Sequence, residues 1–210
     1  MLEPLSLHLL GATNLQVPSL CVGCAALGDM PATFTYSVTE EQALATIRAI
    51  FEGPVSFADT AASYGDGESE RRIGVVLRER GGLPTGFVLS TKADRNLLTG
   101  EFSGDQMRRS VERSLKLLGV DCLQICYLHD PDDIPDSAVL SLLDQFDARQ
   151  ILHVTFGSVL TAQDPSGRRR FYDRMMEVLH TYPEAYATNL KSHFLCHLRP
   201  FVAYSKQEKG

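Results

Sequence analysis

Apolar and polar positions alternate along the first two-thirds of the chain in short strand-like runs and longer helix-like stretches. The strand-like runs cover residues 19–23, 55–59, 87–91 and 123–128, and between them apolar residues recur at spacings of three and four. Such spacings are typical of one face of a helix. Strands and helices that alternate with short connections predict a parallel sheet or barrel within one domain.

Three helices are predicted between the strands, each from an apolar stripe with a start or stop signal. Ser37-Val-Thr-Glu40 has the spacing of a capping box and predicts the start of the first helix, which ends at Gly53. The second helix covers Glu68–Arg80. The third begins at a capping box on Ser103 and ends at Gly119.

The two ends of the chain carry weaker patterns. Apolar residues at 7–10 and 15–17 flank a turn and predict a small hairpin. Beyond Pro131, a helix is predicted at Ser137–Phe146 and a strand at Ile151–Phe156. Further candidates are a helix at Arg169–His180, a poor strand at Ala185–Thr188, and a last helix or frayed tail at Leu190–Val202.

Composition limits the setting and the partners. The 210 residues, 44% of them hydrophobic, can bury the core of one domain. A net charge of -6 argues against nucleic-acid binding, which needs clustered Lys and Arg. No apolar segment approaches the roughly 18 residues of a membrane span, and the N-terminus lacks the pattern of a signal peptide. Five cysteines, an odd number, fit a reducing, cytoplasmic setting better than a disulfide framework.

Metal binding is not expected. His193 and His197 have the spacing of a helical metal pair, but no nearby acid completes the pattern. A metal-dependent hydrolase on the same kind of barrel would need a cluster of His with Asp or Glu, and only His129-Asp130 comes near one.

Four chemically active side chains lie at the ends of predicted strands or in the turn after one: Asp59, Tyr64, Lys92 and His129. The carboxyl ends of parallel barrel strands open onto one face, so these side chains are expected on one rim. Any one of them alone is more often a loop contact or a packing residue. Together, on successive strand–helix units, they predict a site.

Proton transfer is the chemistry that this set of residue types favours. A phenol, with a pKa of about 10, is a poor acid or base at neutral pH unless a neighbouring cation stabilises its anion. Lys92 can supply that cation for Tyr64, Asp59 can hold the ammonium, and His129 can donate or accept a hydrogen bond at a substrate oxygen. The set would polarise a carbonyl or deprotonate an alcohol while a hydride moves to or from a cofactor.

Residues 1 to about 133 resemble the N-terminal half of an aldo-keto reductase, and the spacing of Asp59, Tyr64, Lys92 and His129 matches that family as well. The matching segments are Leu20–Gly28, Phe57–Gly65, Glu68–Gly74, Leu89–Lys92, Arg109–Asp121 and His129–Pro131. Within the family, the His-Asp-Pro-Asp and Ser-Glu-Arg-Arg sequences look most like the sugar 1-dehydrogenase branch, similar to D-threo-aldose (L-fucose) dehydrogenases.

The resemblance implies a (β/α)8 TIM barrel that uses NAD or NADP. Tyr64 would then be the proton donor or acceptor, Lys92 and Asp59 would tune it, and His129 would orient the substrate. The branch oxidises the anomeric hydroxyl of an aldose to a lactone, so a sugar or related small carbonyl compound is the expected substrate.

The second half of the expected barrel is not recognisable in the sequence. In the family that half supplies a Ser-Asn pair and a Gln for the nicotinamide amide, a stacking Tyr, and a basic loop for the cofactor phosphates. No position here matches these motifs, so the residues that contact the cofactor stay unassigned. We divide the chain into residues 1–133, a divergent α/β or α-rich remainder of the same domain at 134–204, and a disordered tail at 205–210.

Because the second half of the barrel is not recognisable, a second hypothesis about function stays open. The chain would then be a truncated, catalytically inactive relative of the aldo-keto reductases that acts through protein association. An incomplete barrel exposes strand edges and apolar faces, which predicts self-association.

Overall fold

The computed structural model describes residues 5–10, 13–129, 135–147 and 150–156. Outside these residues lie the elements predicted at Arg169–His180, Ala185–Thr188 and Leu190–Val202, the predicted tail 205–210, and the pair His193 and His197.

Two small strands precede a parallel sheet of five strands. The strands are β1 (Leu7–Leu9), β2 (Gln16–Pro18), β3 (Val22–Gly23), β4 (Phe57–Asp59), β5 (Val88–Ala93), β6 (Leu123–Leu128) and β7 (Ile151–Phe156). β1 and β2 form the predicted antiparallel hairpin. From β3 to β7 each strand pairs in parallel with the next strand of the chain. Sequential parallel order is the arrangement of a (β/α) barrel wall.

Helices connect the strands and lie on one side of the sheet. They are α1 (Pro31–Phe34), α2 (Glu40–Glu52), α3 (Glu68–Arg80), α4 (Gly104–Leu118) and α5 (Asp136–Asp147), with a 3-10 turn at Ala25–Gly28. The predictions of α2, α3, α4 and α5 are confirmed. α1 and the 3-10 turn, each four residues long, carried no periodic signal because one turn is too short to show a period.

The start of α2 differs from the prediction. Thr39, rather than Ser37, caps the helix: its hydroxyl accepts a hydrogen bond from the Gln42 N–H at 3.3 Å, and the Gln42 side chain accepts one from the Thr39 N–H at 3.0 Å. The sequence contains two overlapping capping-box patterns, and only one can form. Glu40 of the unused box pairs instead with Arg72 of α3, which ties the two helices together.

The main core lies between the helices and the sheet. α2, α3 and α4 each contribute a buried stripe, and the ring of Phe51 packs edge-on against that of Phe87 with centroids 5.0 Å apart. The stripes comprise Ala43, Ile47 and Phe51 of α2, Ile73, Val76 and Leu77 of α3, and Met107, Val111 and Leu118 of α4. Burying a large aliphatic side chain of this kind stabilises a fold by roughly 1.5–3 kcal/mol.

The hairpin covers part of the opposite face of the sheet. Val17 of β2 is buried in a second cluster with Val88 and Ile125, near the start of β5 and in the middle of β6. Lys92 follows Val88 by four residues along β5 and therefore lies on the same face, closer to the carboxyl end of the strand. The hairpin thus closes the amino-terminal part of this face and leaves the carboxyl edge to polar side chains.

Within the described residues, β3 and β7 lie at the two ends of the sheet. The self-association expected from open strand edges stays a prediction. None of the helices in the described part of the chain has the length and apolarity to cross a bilayer.

Candidate active site

The four residues predicted for the site meet at the carboxyl edge of the sheet. Asp59 is the last residue of β4, Lys92 lies near the end of β5, and His129 directly follows β6. Tyr64 lies in the loop between β4 and α3. The His129 N–H donates to the Ala93 carbonyl at 3.1 Å, so the sheet pairing continues to the edge on which the site lies.

Lys92 is the centre of this group. Its ammonium donates to Asp59 Oδ2 at 2.5 Å, to the Thr60 carbonyl at 2.8 Å and to the Tyr64 hydroxyl at 3.1 Å. An ammonium has three donors, and all three are used. The side chain is 12% exposed. Burial lowers the pKa of Lys92, but the Asp59 carboxylate and Tyr64 raise it by more, so the net pKa lies above its usual value. Lys92 is therefore a cation at neutral pH, held against the phenolic oxygen.

Two glycines fix the backbone that carries Tyr64. Gly65 has a φ of 61°, a conformation that favours glycine, and a Cβ on it would lie 1.9 Å from the Gly28 carbonyl oxygen. A Cβ on Gly28 would lie 2.7 Å from the Tyr64 carbonyl oxygen. The loop and the end of the 3-10 turn thus touch backbone to backbone. This contact sets how far Tyr64 reaches over the edge of the sheet.

His129 is tied to a carboxylate that the sequence reasoning missed. Asp94 Oδ1 lies 2.5 Å from His129 Nδ1, and the Ser63 hydroxyl lies 3.4 Å from the same nitrogen. The imidazole ring stands edge-on to the Tyr64 ring with centroids 6.1 Å apart. A signal for Asp94 exists in the sequence, because it follows Lys92 by two residues and so shares its face of an extended chain.

Asp94 is held from several directions. Its Oδ2 accepts the Ser63 N–H at 2.9 Å, its own N–H donates to the Ser110 hydroxyl at 3.0 Å, and the Gln106 amide donates to its carbonyl at 3.0 Å. The predicted capping box of α4 forms in its first half only: Ser103 accepts the Gln106 N–H. The Gln106 side chain donates to the Asp94 carbonyl instead of completing the capping box.

A second buried acid lies behind β5. Glu70 of α3 is fully buried, and one of its carboxyl oxygens accepts the Thr91 hydroxyl at 2.6 Å. The other oxygen has no hydrogen-bond partner among the described residues. Burial raises the pKa of Glu70 to about 7, opposed by the hydrogen bond from Thr91. Since Thr91 and Lys92 are neighbours on a strand, Glu70 lies on the helix side of the sheet and outside the Lys92 group.

Glu70 is expected to make stability fall with rising pH. The folded chain holds its proton up to a pKa of about 7, against a reference of 4.5, so the folded state binds more protons than the unfolded state between these values. Stability therefore declines from about pH 4.5 to above pH 7, by at most about 3 kcal/mol. Glu70→Gln should remove this part of the slope in urea unfolding at several pH values.

The matched control for this prediction is Glu112→Gln, which changes an exposed acid on α4 in the same way. Its pH profile should follow that of the parent chain. Equal slopes for the parent and Glu70→Gln would show that Glu70 is not protonated in the folded chain.

In a comparison with known proteins, residues 19–160 match the family model described as "Aldo/keto reductase family". L-galactose dehydrogenase of Arabidopsis thaliana is 31% identical over 126 residues, which cover 60% of this chain and 38% of that protein. D-threo-aldose 1-dehydrogenase of a Pseudomonas species is 29% identical, with 58% of this chain and 42% of that protein covered. The chain thus spans less than half the length of either curated relative.

A solved structure supports the fold independently. The holo form of an aldo-keto reductase from Bacillus halodurans superposes with a TM-score of 0.61 at 23% identity, covering 74% of this chain and 51% of that one. Together with the family match, this confirms the predicted fold: strands β3 to β7 belong to a (β/α)8 barrel.

Proposed function

Because the chain belongs to the aldo/keto reductase family, we propose that it is an NAD(P)-dependent oxidoreductase that acts on an aldose or a related aldehyde or alcohol. The observation that carries the proposal is the contact between the Lys92 ammonium and the Tyr64 hydroxyl at 3.1 Å, with Asp59 behind the ammonium. The names of the two curated relatives, both sugar dehydrogenases, support the substrate class.

The chemistry of the site residues is compatible with a nicotinamide cofactor. Tyr64, Lys92 and Asp59 can move a proton, but none of these side chains can accept or deliver a hydride. A bound NAD or NADP supplies the hydride donor or acceptor. Among the described residues we assign none to holding the cofactor, and the choice between NAD and NADP stays open.

Tyr64 is the proposed proton donor or acceptor. In a reduction it gives its phenolic proton to the carbonyl oxygen of the substrate, and in an oxidation it takes the proton of the alcohol. Either direction passes through a phenolate. The Lys92 ammonium, 3.1 Å from the phenolic oxygen, stabilises that negative charge.

Asp59 keeps the ammonium in place during this exchange. One of its oxygens accepts from Lys92 at 2.5 Å and the other from the Ser90 hydroxyl at 2.7 Å. The carboxylate is thus fixed at both oxygens, and Lys92 cannot turn toward solvent without losing a strong, charge-assisted hydrogen bond. His129, beside the Tyr64 ring, contributes a ring nitrogen at the place where the substrate oxygens would lie.

The test is a titration of the purified chain with NADH and NADPH, followed by turnover assays with aldoses and NAD or NADP. The proposal expects saturable binding of one nucleotide and its aldose-dependent reduction. A folded chain that binds neither nucleotide would contradict the proposal. That outcome would favour the alternative function, an inactive relative that acts through protein association.

A further inference from the structure

We propose that Asp94 is a positioning residue that fixes the proton of His129 on Nδ1, so that Nε2 accepts a hydrogen bond from a hydroxyl of the substrate. Nothing in the sequence motif of the site requires Asp94. The inference comes from the contacts around the imidazole ring. Its first part, the tautomer, stands on the structure alone, while its second part, the substrate hydroxyl, rests on the proposed function.

The short contact decides where the proton lies. An ionised carboxylate only accepts hydrogen bonds, and Asp94 Oδ1 lies 2.5 Å from His129 Nδ1. The proton between the two atoms therefore belongs to the ring nitrogen. The Ser63 hydroxyl, at 3.4 Å from the same nitrogen, is too far to compete with the carboxylate for it.

The carboxylate cannot turn away from His129. Asp94 is 6% exposed, and its second oxygen is held by the Ser63 N–H at 2.9 Å. Ser110 and Gln106 of α4 hold the backbone of Asp94 on both sides. The hydrogen bond to His129 is therefore a fixed feature of this edge of the barrel.

A fixed proton on Nδ1 determines what the other nitrogen does. A neutral imidazole has one donor and one acceptor nitrogen, so Nε2 of His129 is the acceptor. Within the described residues, Nε2 has no hydrogen-bond partner, and the side chain is 18% exposed. A carbonyl oxygen has no proton to offer Nε2. A hydroxyl of the substrate can donate to it.

That hydroxyl is not the reacting one. In an oxidation, the proton of the reacting oxygen goes to Tyr64, and in a reduction the reacting oxygen is a carbonyl. A hydroxyl on the carbon next to the reaction centre could reach His129 while the reacting oxygen meets Tyr64, because the two rings stand edge-on with centroids 6.1 Å apart. The substrate class is therefore a 2-hydroxy aldehyde or the corresponding hemiacetal or 1,2-diol.

The tautomer is tested by nuclear magnetic resonance. Long-range proton–nitrogen correlation on the chain labelled with 15N-histidine distinguishes a protonated Nδ1 from a protonated Nε2, and His129→Gln identifies the signals. We expect Nδ1–H in the neutral ring of the parent chain. In Asp94→Asn, whose amide can donate to Nδ1, the proton should shift toward Nε2.

Ser63→Ala is the matched control, since it removes the longer contact to the same nitrogen and should leave the tautomer unchanged. A protonated Nε2 in the parent chain would overturn the inference, and so would an Asp94→Asn spectrum identical to that of the parent. If Asp94→Asn does not fold, the spectra of the parent and of Ser63→Ala decide the question.

The substrate hydroxyl is tested by kinetics with an aldose and its 2-deoxy analogue. One hydrogen bond corresponds to a preference of about tenfold in kcat/KM for the hydroxylated sugar, expressed mainly in KM. Asp94→Asn should lose this preference. Equal rates for both sugars in the parent would overturn the second part alone. No turnover with any sugar would contradict the proposed function and leave the tautomer result in force.

Discussion

Tyr64→Phe is expected to lower turnover by about 10²–10⁴-fold, the range that a positioned general acid or base contributes. The variant keeps the ring that stands beside His129 and removes only the oxygen that Lys92 contacts. The proton of the reaction then has no donor or acceptor at this position. The affinity for NADH or NADPH should stay within a few-fold of the parent value. Steady-state rates and a nucleotide titration on the same preparations measure both effects.

Tyr36→Phe is the matched control for this experiment. It deletes the same hydroxyl from an exposed tyrosine whose ring contacts Phe34. Its turnover should remain close to that of the parent. If Tyr64→Phe kept the parent rate, or lost its nucleotide affinity along with its rate, the assigned role of Tyr64 would be wrong.

Gly74→Ala is expected to destabilise the fold by about 2 kcal/mol or more, at the upper end of what overpacking costs. Gly74 lies where α3 crosses α4, and a Cβ on it would lie 2.0 Å from the backbone oxygen of Leu117. Because the obstacle is backbone, the two helices must move apart. The better helix preference of alanine, about 1 kcal/mol, offsets only part of this cost. Urea unfolding of the variant and the parent measures the difference.

Gly23→Ala makes the same chemical change where there is room for it, since nothing lies within 4 Å of a Cβ at Gly23. Its stability should stay within about 0.5 kcal/mol of the parent. Equal stabilities for the two variants would mean that α3 and α4 are not as close as the structure has them. Separation of α4 from α3 would also move Ser110 and Gln106, and with them Asp94.

Much of the barrel wall could be predicted because its signals are local. The stripes of α2, α3 and α4 repeat over three turns or more, and Gly119 ends α4 in the left-handed conformation that glycine favours. β6 was predicted at its observed bounds because its apolar run, Leu123–Leu128, ends at polar residues. β4 is shorter than its apolar run, because only Phe57–Asp59 pairs with β5 and only Ala58 and Asp59 pair with β3.

The features that could not be predicted depend on residues far apart in the sequence, and no local pattern shows which of these residues meet. At the start of α2, Glu40 of the unused capping box pairs with Arg72, a residue of the next helix. The four-residue set at the strand ends could be predicted, since the carboxyl ends of parallel strands share one edge. Asp94 could not be paired with His129 from sequence, because the two are 35 residues apart and meet only when β5 and β6 pair.

β5 carries two charged residues of the site, Lys92 and Asp94, in or directly after one strand and two positions apart. Lys92 donates a hydrogen bond to Asp59 of β4 on one side, and Asp94 contacts Nδ1 of His129, which follows β6, on the other. Insertion of one residue early in this strand would put Thr91 in the place of Lys92, and deletion of one would put Ala93 there. Either change would lose both pairs at once. In the divergence of such chains, β5 can therefore vary in its side chains but not in its length. Gains and losses of residues should accumulate instead in the loop that follows, at 95–103.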